Sequence, residues 1–154
     1  MSTAIYPGSF DPITNGHASI LKSGLVAFDK IVVAVLNNER KAPLFSVDER
    51  IEMIRESLSE IGAEESRVEV DSFHGLLVDY CKTHEIPAIV KGLRAVSDFD
   101  YELQMAQMNH RLAGVETLFV STNPLYSYLS SSLLKEIATY GGDVSGLVPD
   151  TVLT

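Results

Sequence analysis

The sequence predicts an α/β fold: a doubly wound domain on a five-stranded parallel sheet. Three observations lead there. Five short runs rich in Val, Ile, Phe and Tyr recur along the 154 residues, at Thr3–Tyr6, Ile31–Leu36, Arg67–Val70, Ala88–Val90 and Thr117–Ser121. Most of them lack strict apolar/polar alternation, the pattern of strands covered on both faces. Each is followed by a longer stretch of helical character, so the chain reads βαβαβαβαβα with right-handed crossovers. At about 150 residues per domain, residues 1–154 are expected to form one domain.

After the first strand comes a loop with two prolines and two glycines, then a helix marked by Ile20, Leu21 and Leu25. Behind the second strand, Ser46-Val47-Asp48-Glu49 has the spacing of a capping box, and Ile51, Ile54, Leu58 and Ile61 recur at helical period. Leu76–His84 is the third helical stretch. Asp98 is placed to cap a fourth that runs to about Leu112. Ser130–Tyr140 is the last, and Gly141-Gly142 can end it with left-handed backbone.

Composition bounds the partners. The net charge of −9, from 12 Lys+Arg against 21 Asp+Glu, argues against nucleic acid, whose binders carry a basic face. The single cysteine, Cys81, allows no internal disulfide and fits a reducing compartment. No charged segment followed by an apolar one opens the chain, and the longest apolar stretch, Ile31–Leu36, is far below the roughly 20 residues of a membrane span. A cytoplasmic protein without membrane or nucleic-acid contacts is expected.

In a sheet of this kind ligands bind beyond the carboxyl ends of the strands, where strand order reverses, so the loops after strands carry the chemistry. The first reads Tyr6-Pro7-Gly8-Ser9-Phe10-Asp11-Pro12-Ile13-Thr14-Asn15-Gly16-His17. Its glycines allow backbone amides to approach a ligand, and the helix start favours an anion. It is neither GxxxxGK[ST] nor GxGxxG. A plain structural turn, with His17 satisfied at a helix start, is the competing reading. Lys91-Gly92-Leu93-Arg94 puts two cations at the end of the fourth strand, where phosphates would sit, although such side chains commonly face solvent. Tyr126-Ser127-Tyr128-Leu129-Ser130-Ser131-Ser132 brings three serines to a helix start, where an ordinary cap needs one. Arg40-Lys41 follows the second strand.

Thr14-Asn15-Gly16-His17 and Leu129-Ser130-Ser131-Ser132-Leu133-Leu134-Lys135 resemble the two signatures of the nucleotidyltransferase superfamily, a Gly-His in the first loop and a serine run followed by a basic residue. Tyr6–Pro12, Lys91–Arg94 and Asp98-Phe99-Asp100-Tyr101-Glu102 narrow the resemblance to the bacterial phosphopantetheine adenylyltransferase family, from about residue 4 to Pro149. It implies a Rossmann-like fold and transfer of AMP from ATP to 4′-phosphopantetheine, giving dephospho-coenzyme A and pyrophosphate, with Mg²⁺, in a homohexamer built as a dimer of trimers.

By the same resemblance, His17, Ser9 and Lys41 are the catalytic residues. Ser9, Phe10, His17, Gly92, Leu93, Arg94, Glu102, Tyr126, Ser127, Tyr128, Leu129, Ser130, Ser131 and Ser132 would hold ATP. Ser9, Lys41, Leu77 and Lys91 would hold phosphopantetheine. Ser9 replaces the usual Thr, Lys91 the Arg of many members, and Leu129 the usual Ile; Thr139 stands where some carry a cation.

The chemistry suits these residue types. The acceptor phosphate is already an anion, so positioning and charge stabilisation at the α-phosphorus replace a general base. Two rivals remain at this stage: nucleotidyl transfer to another acceptor, such as nicotinate mononucleotide or glycerol phosphate, and a nucleotide-binding sensor without turnover. Cys81 and His84 lie three apart on a predicted helix, but no further ligand completes a metal site. Met105 and Met108 are expected in core or subunit packing, and Glu64, Glu65, Asp98 and Asp100 in solvent. His74, just before Gly75, is a candidate for the pantetheine channel.

Overall fold

The computed structural model describes residues 2–37, 43–93, 96–126 and 128–153. In chain order the elements are β1 (Thr3–Gly8), α1 (Asn15–Ala27), β2 (Lys30–Leu36), α2 (Val47–Ser57), β3 (Val68–Phe73), α3 (Leu77–Thr83), β4 (Ala88–Leu93), α4 (Val96–Ala113), β5 (Glu116–Ser121) and α5 (Ser131–Thr139). Short 3-10 segments occur at Glu65–Arg67, Pro124–Tyr126 and Asp150–Leu153. The strands form one five-stranded sheet, parallel throughout, in the order β3-β2-β1-β4-β5. This is the α/β, Rossmann-like arrangement the sequence predicts, and the strand order reverses between β1 and β4.

The apolar runs are continuous because both faces of the sheet are covered. Ala4, Tyr6, Ile31, Val33 and Val35 pack on one side with Ile20, Leu21 and Leu25 of α1 and Ile54 of α2. Ile5, Val32 and Ala34 point the other way, onto Cys81, Ile86 and Val115. Each buried Val, Leu or Ile among them stabilises the fold by about 1.5–3 kcal/mol relative to exposure.

Pairing around β1 is unequal. It pairs with β2 along its whole length, Thr3 opposite Lys30 through Gly8 opposite Val35. With β4 it pairs only at Ala4–Ala88 and Ile5–Ile89. Beyond those two pairs the strands separate, and Pro7, which has no N–H to donate, lies in the diverging part. Pro7, Gly8 and Gly92 are poor strand formers, which is why sequence reading ends β1 at Tyr6 and β4 at Val90. Pairing with β2 and β5 carries both strands on, so Lys91, Gly92 and Leu93 are the last residues of β4 and not a loop behind it.

Two helix boundaries also differ. α4 starts at Val96, so Asp98 falls within its first turn instead of capping it. An acid favours either position, because both face the positive end of the helix dipole. α2 ends at Ser57, and the apolar period continues only because the following turn returns Leu58 and Ala63 to the core. The predicted stop of α5 is present: Gly141 takes φ 77°, its N–H donates to Ala138 O, and Gly142 N–H donates to Ile137 O.

The capping box of α2 is complete, with Ser46 Oγ accepting from Glu49 N–H and Glu49 Oε1 accepting from Ser46 N–H, both at 3.1 Å. Ser46→Ala is expected to cost about 1 kcal/mol of stability, measured by urea unfolding; an unchanged midpoint would show the cap to be dispensable.

Candidate active site

A cleft of about 280 Å³ opens where β1 and β4 part. Tyr6, Pro7 and Gly8 line it from β1, Lys91 and Gly92 from β4, Gly16, His17 and Ile20 from α1, and Ser130 to Ser132 from the start of α5. Ser9, Thr14, Thr122, Tyr126 and Leu129 complete the wall. Gly92 makes this approach possible: a Cβ there would lie 2.1 Å from Cδ1 of Ile20.

His17 is oriented by its own helix. Thr14 is the N-cap of α1 and His17 stands three residues on, where its Nδ1 accepts from Thr14 N–H at 3.0 Å. A backbone N–H can only donate, so Nδ1 presents its lone pair and the neutral ring carries its proton on Nε2. Phe10 supports the ring edge-on, centroids 4.8 Å apart, and itself packs against Tyr6 at 5.3 Å. Phe10 is 1% exposed and takes φ 47°, a left-handed conformation uncommon for an aromatic residue. Its ring is therefore a floor beneath the loop and no part of the cleft lining.

The serine run divides its labour. Ser130 Oγ caps α5 by accepting from Leu133 N–H at 3.1 Å. Ser131 Oγ donates to Pro12 O at 2.9 Å and ties the helix to the first loop. The N–H groups of Ser131 and Ser132, first in α5, have no intrahelical acceptor, and with the Ser132 hydroxyl they form an anion-binding helix start. Lys91 Nζ lies 3.4 Å from Glu102 Oε2, both partly buried, so α4 holds the one described cation of the cleft wall.

The structure thus gathers Ser9, His17, Lys91, Gly92, Tyr126, Leu129, Ser130, Ser131 and Ser132, with Glu102 joined through Lys91. Leu93 stands beside the cleft, its carbonyl accepting from Thr122 N–H and hydroxyl. Tyr128 is 59% exposed and outside the lining. Leu77 packs at the edge of the opposite core cluster. His74 is exposed, its Nδ1 3.1 Å from Asn37 O, and does not line the cleft. Arg40, Lys41, Arg94 and Ser127 lie outside the described residues.

Away from the cleft, Cys81 is core, and burial pushes its thiol pKa up. His84 stacks on Tyr80 at 3.9 Å. Thr139 is exposed and donates to Lys135 O. Met105 and Met108 are exposed in this chain rather than in its core.

Two charged residues escaped sequence reasoning. Arg50 is 4% exposed within α2, and Asp11 is 3% exposed in the first loop. Arg50 is in phase with Val47, Ile54 and Leu58, and a charge on an apolar stripe is the signal that could have found it. Asp11 accepts from Leu44 N–H at 2.8 Å, Phe45 N–H at 2.9 Å and Lys135 Nζ at 2.9 Å. The basic residue after the serine run is thereby a strut to Asp11.

Burial alone would raise the Asp11 carboxyl pKa. The hydrogen bond from Lys135, the two amides and the nearby ammonium charge outweigh it and hold the pKa below the usual value. A carboxyl lowered on folding stabilises above its unfolded pKa, and that stability is lost as pH falls through the native one. Asp11→Asn is therefore expected to cost on the order of 2 kcal/mol at neutral pH. Urea titrations across pH should show the gap to the parent shrinking below about pH 4; a gap independent of pH would contradict this.

Comparison with known proteins places this geometry in a family. Residues 5–137 match the family model described as cytidylyltransferase-like. A phosphopantetheine adenylyltransferase of Frankia casuarinae is 65% identical over 99% of this chain and 94% of its own length. One of Streptomyces coelicolor is 63% identical over the same shares. Among solved structures, a bifunctional NMN adenylyltransferase/ADP ribose pyrophosphatase from Francisella tularensis, complexed with AMP and a manganese ion, superposes with a TM-score of 0.70 at 15% identity. That match covers 93% of this chain and 43% of the other, and shows the shared fold. The chain belongs to the phosphopantetheine adenylyltransferase family of the cytidylyltransferase-like nucleotidyltransferases.

Proposed function

We propose that this chain transfers the adenylyl group of ATP to 4′-phosphopantetheine, forming dephospho-coenzyme A and releasing pyrophosphate. The observation that carries the reading is the convergence, in one cleft, of the His17 imidazole, the Ser9 hydroxyl, the start of α5 and Lys91. Its relatives bear the name of that activity.

The acceptor phosphate oxygen attacks the α-phosphorus, a new P–O bond forms, and the bond to the bridging oxygen of pyrophosphate breaks. No proton has to be removed from the nucleophile. The chain's task is to bring two anions together and to meet charge as it shifts. His17, with Nδ1 occupied by Thr14, offers Nε2–H as a neutral donor beside Ser9. The free amides of Ser131 and Ser132 suit the β- and γ-phosphates, with Gly92, Leu93, Arg94 and Tyr126 to Leu129 around the nucleotide. Lys91, oriented by Glu102, suits the acceptor phosphate, with Lys41 and Leu77 as its partners.

Among the described residues no three His, Cys, Asp or Glu side chains converge on a metal position, and Asp11 is committed to Lys135. Mg²⁺ would arrive on the phosphates of ATP, as part of the substrate, and would there offset charge on the leaving pyrophosphate. The manganese and AMP of the Francisella enzyme are in keeping with this.

The reading extends to a single nucleotidyltransferase domain acting in the cytoplasm as a homohexamer. Phe99, Tyr101, Leu103, Met105, Met108 and Leu112 of α4, with Leu118 of β5, are exposed apolar side chains that subunit contacts would cover. No helix among the described residues is long and apolar enough to cross a membrane.

Pyrophosphate release from ATP is expected with 4′-phosphopantetheine and not with nicotinate mononucleotide, glycerol phosphate or no acceptor. Release with another acceptor alone would replace the substrate, and ATP binding without any release would remove the enzyme. His17→Ala is expected to lower turnover about 10²- to 10³-fold with folding intact, and a loss of only a fewfold would refute its role. Lys41→Ala should raise KM for the acceptor; weakened ATP binding with an unchanged acceptor KM would contradict it.

A further inference from the structure

Arg50 carries a buried positive charge that the reaction as described does not use. Its Nη1 donates to Ser9 O at 2.8 Å and to Leu36 O at 3.3 Å, and its Nε donates to Ser46 O at 3.3 Å. These carbonyls belong to the first loop, the end of β2 and the N-cap of α2. A buried guanidinium ordinarily faces a carboxylate. None lies within ion-pair distance of Arg50 among the described residues. Three carbonyl dipoles hold it instead, and its charge remains uncancelled directly behind the first loop.

The bond to Ser9 has a geometric effect. Arg50 lies outside the cleft lining and Ser9 within it. Drawing the Ser9 carbonyl toward Arg50 takes a negative dipole away from the cleft and fixes the backbone that carries the Ser9 hydroxyl. The next residue holds that backbone as well, its buried Phe10 ring packed against Tyr6 and His17.

We propose that Arg50 is a positioning residue, which by holding the Ser9 carbonyl aims the Ser9 hydroxyl at a phosphate group of the bound nucleotide. The inference rests on the nucleotide-binding reading of this cleft, though not on the identity of the acceptor. It predicts a defect that depends on the ligand's phosphates, which general damage to the fold would not produce.

The test is equilibrium binding of ATP and of adenosine, without acceptor, to the parent, to Arg50→Met and to Arg50→Lys. Arg50→Met is expected to weaken ATP by roughly 10- to 100-fold, as for loss of a hydrogen bond to a charged group, and to leave adenosine unchanged. Arg50→Lys, which keeps the charge and can reach one carbonyl, should recover most of the ATP affinity. It also stands in should Arg50→Met fail to fold, with a deficit of about threefold confined to ATP. Equal weakening of both ligands, or ATP affinity unchanged in both variants, overturns the inference. A parent chain that binds no ATP overturns the proposed function itself. Transfer to a different acceptor overturns only the substrate and leaves Arg50 where it is.

Discussion

The structure turns on the short pairing between β1 and β4. Two residues on each strand are joined, Ala4–Ala88 and Ile5–Ile89, and from there the strands part. A sheet continuous to its end would leave no room for a ligand. The parting follows from the reversal of strand order, because crossovers leave β1 toward β2 on one side and return to β4 on the other. Everything that faces a ligand is hung on that gap. β1 supplies the first loop, α1 brings His17 to its mouth, β4 presents Lys91 and Gly92 near its end, and α5 starts across from them. Gly92 is the point of closest approach, where any side chain would meet Ile20.

Two buried ionic groups then stabilise the first loop from beneath. Asp11 gathers the chain returning at Leu44 and Phe45 and the Lys135 end of α5. Arg50 gathers the Ser9 and Leu36 carbonyls. Neither charge lines the cleft. Their cost of burial is offset by hydrogen bonds to groups that would otherwise be unpaired, and in return the backbone next to Ser9 has one conformation rather than several. That rigidity matters more for phosphoryl chemistry than for most reactions, since no covalent step by the protein can compensate for misplacement.

Much of this was legible beforehand, for reasons that differ by element. β2 is a nearly unbroken apolar run because both faces are buried, so composition alone reveals it. The start of α2 is visible because a capping box is a local hydrogen-bond pattern with fixed spacing. His17 and the serine run were found by motif, and the cleft brings them together. Burial of the Phe10 ring was not legible, since it depends on a left-handed backbone that residue type disfavours. Nor was the Lys91–Glu102 pair as a contact, because it joins a strand to a later helix. Asp11 and Arg50 were missed because charge is ordinarily read as surface. The net charge of −9 was informative about partners and silent about the cleft, whose positive character comes from Lys91, a helix start and donors aimed inward.

Asn15 is a small detail with a large reach. It starts α1, beside His17, yet its N–H and its side-chain amide donate to Leu147 O and Gly146 O, both at 2.8 Å, more than 130 positions along the chain. Ser131 to Pro12 and Lys135 to Asp11 span similar separations. The strands β1 to β3 can pair from neighbouring sequence, but the start of α1 cannot finish its hydrogen bonding until Gly146 and Leu147 are in place. On a ribosome strands β1 to β3 are therefore made well before the contacts that complete the start of α1, and a nascent chain short of α5 lacks the helix start that faces the cleft.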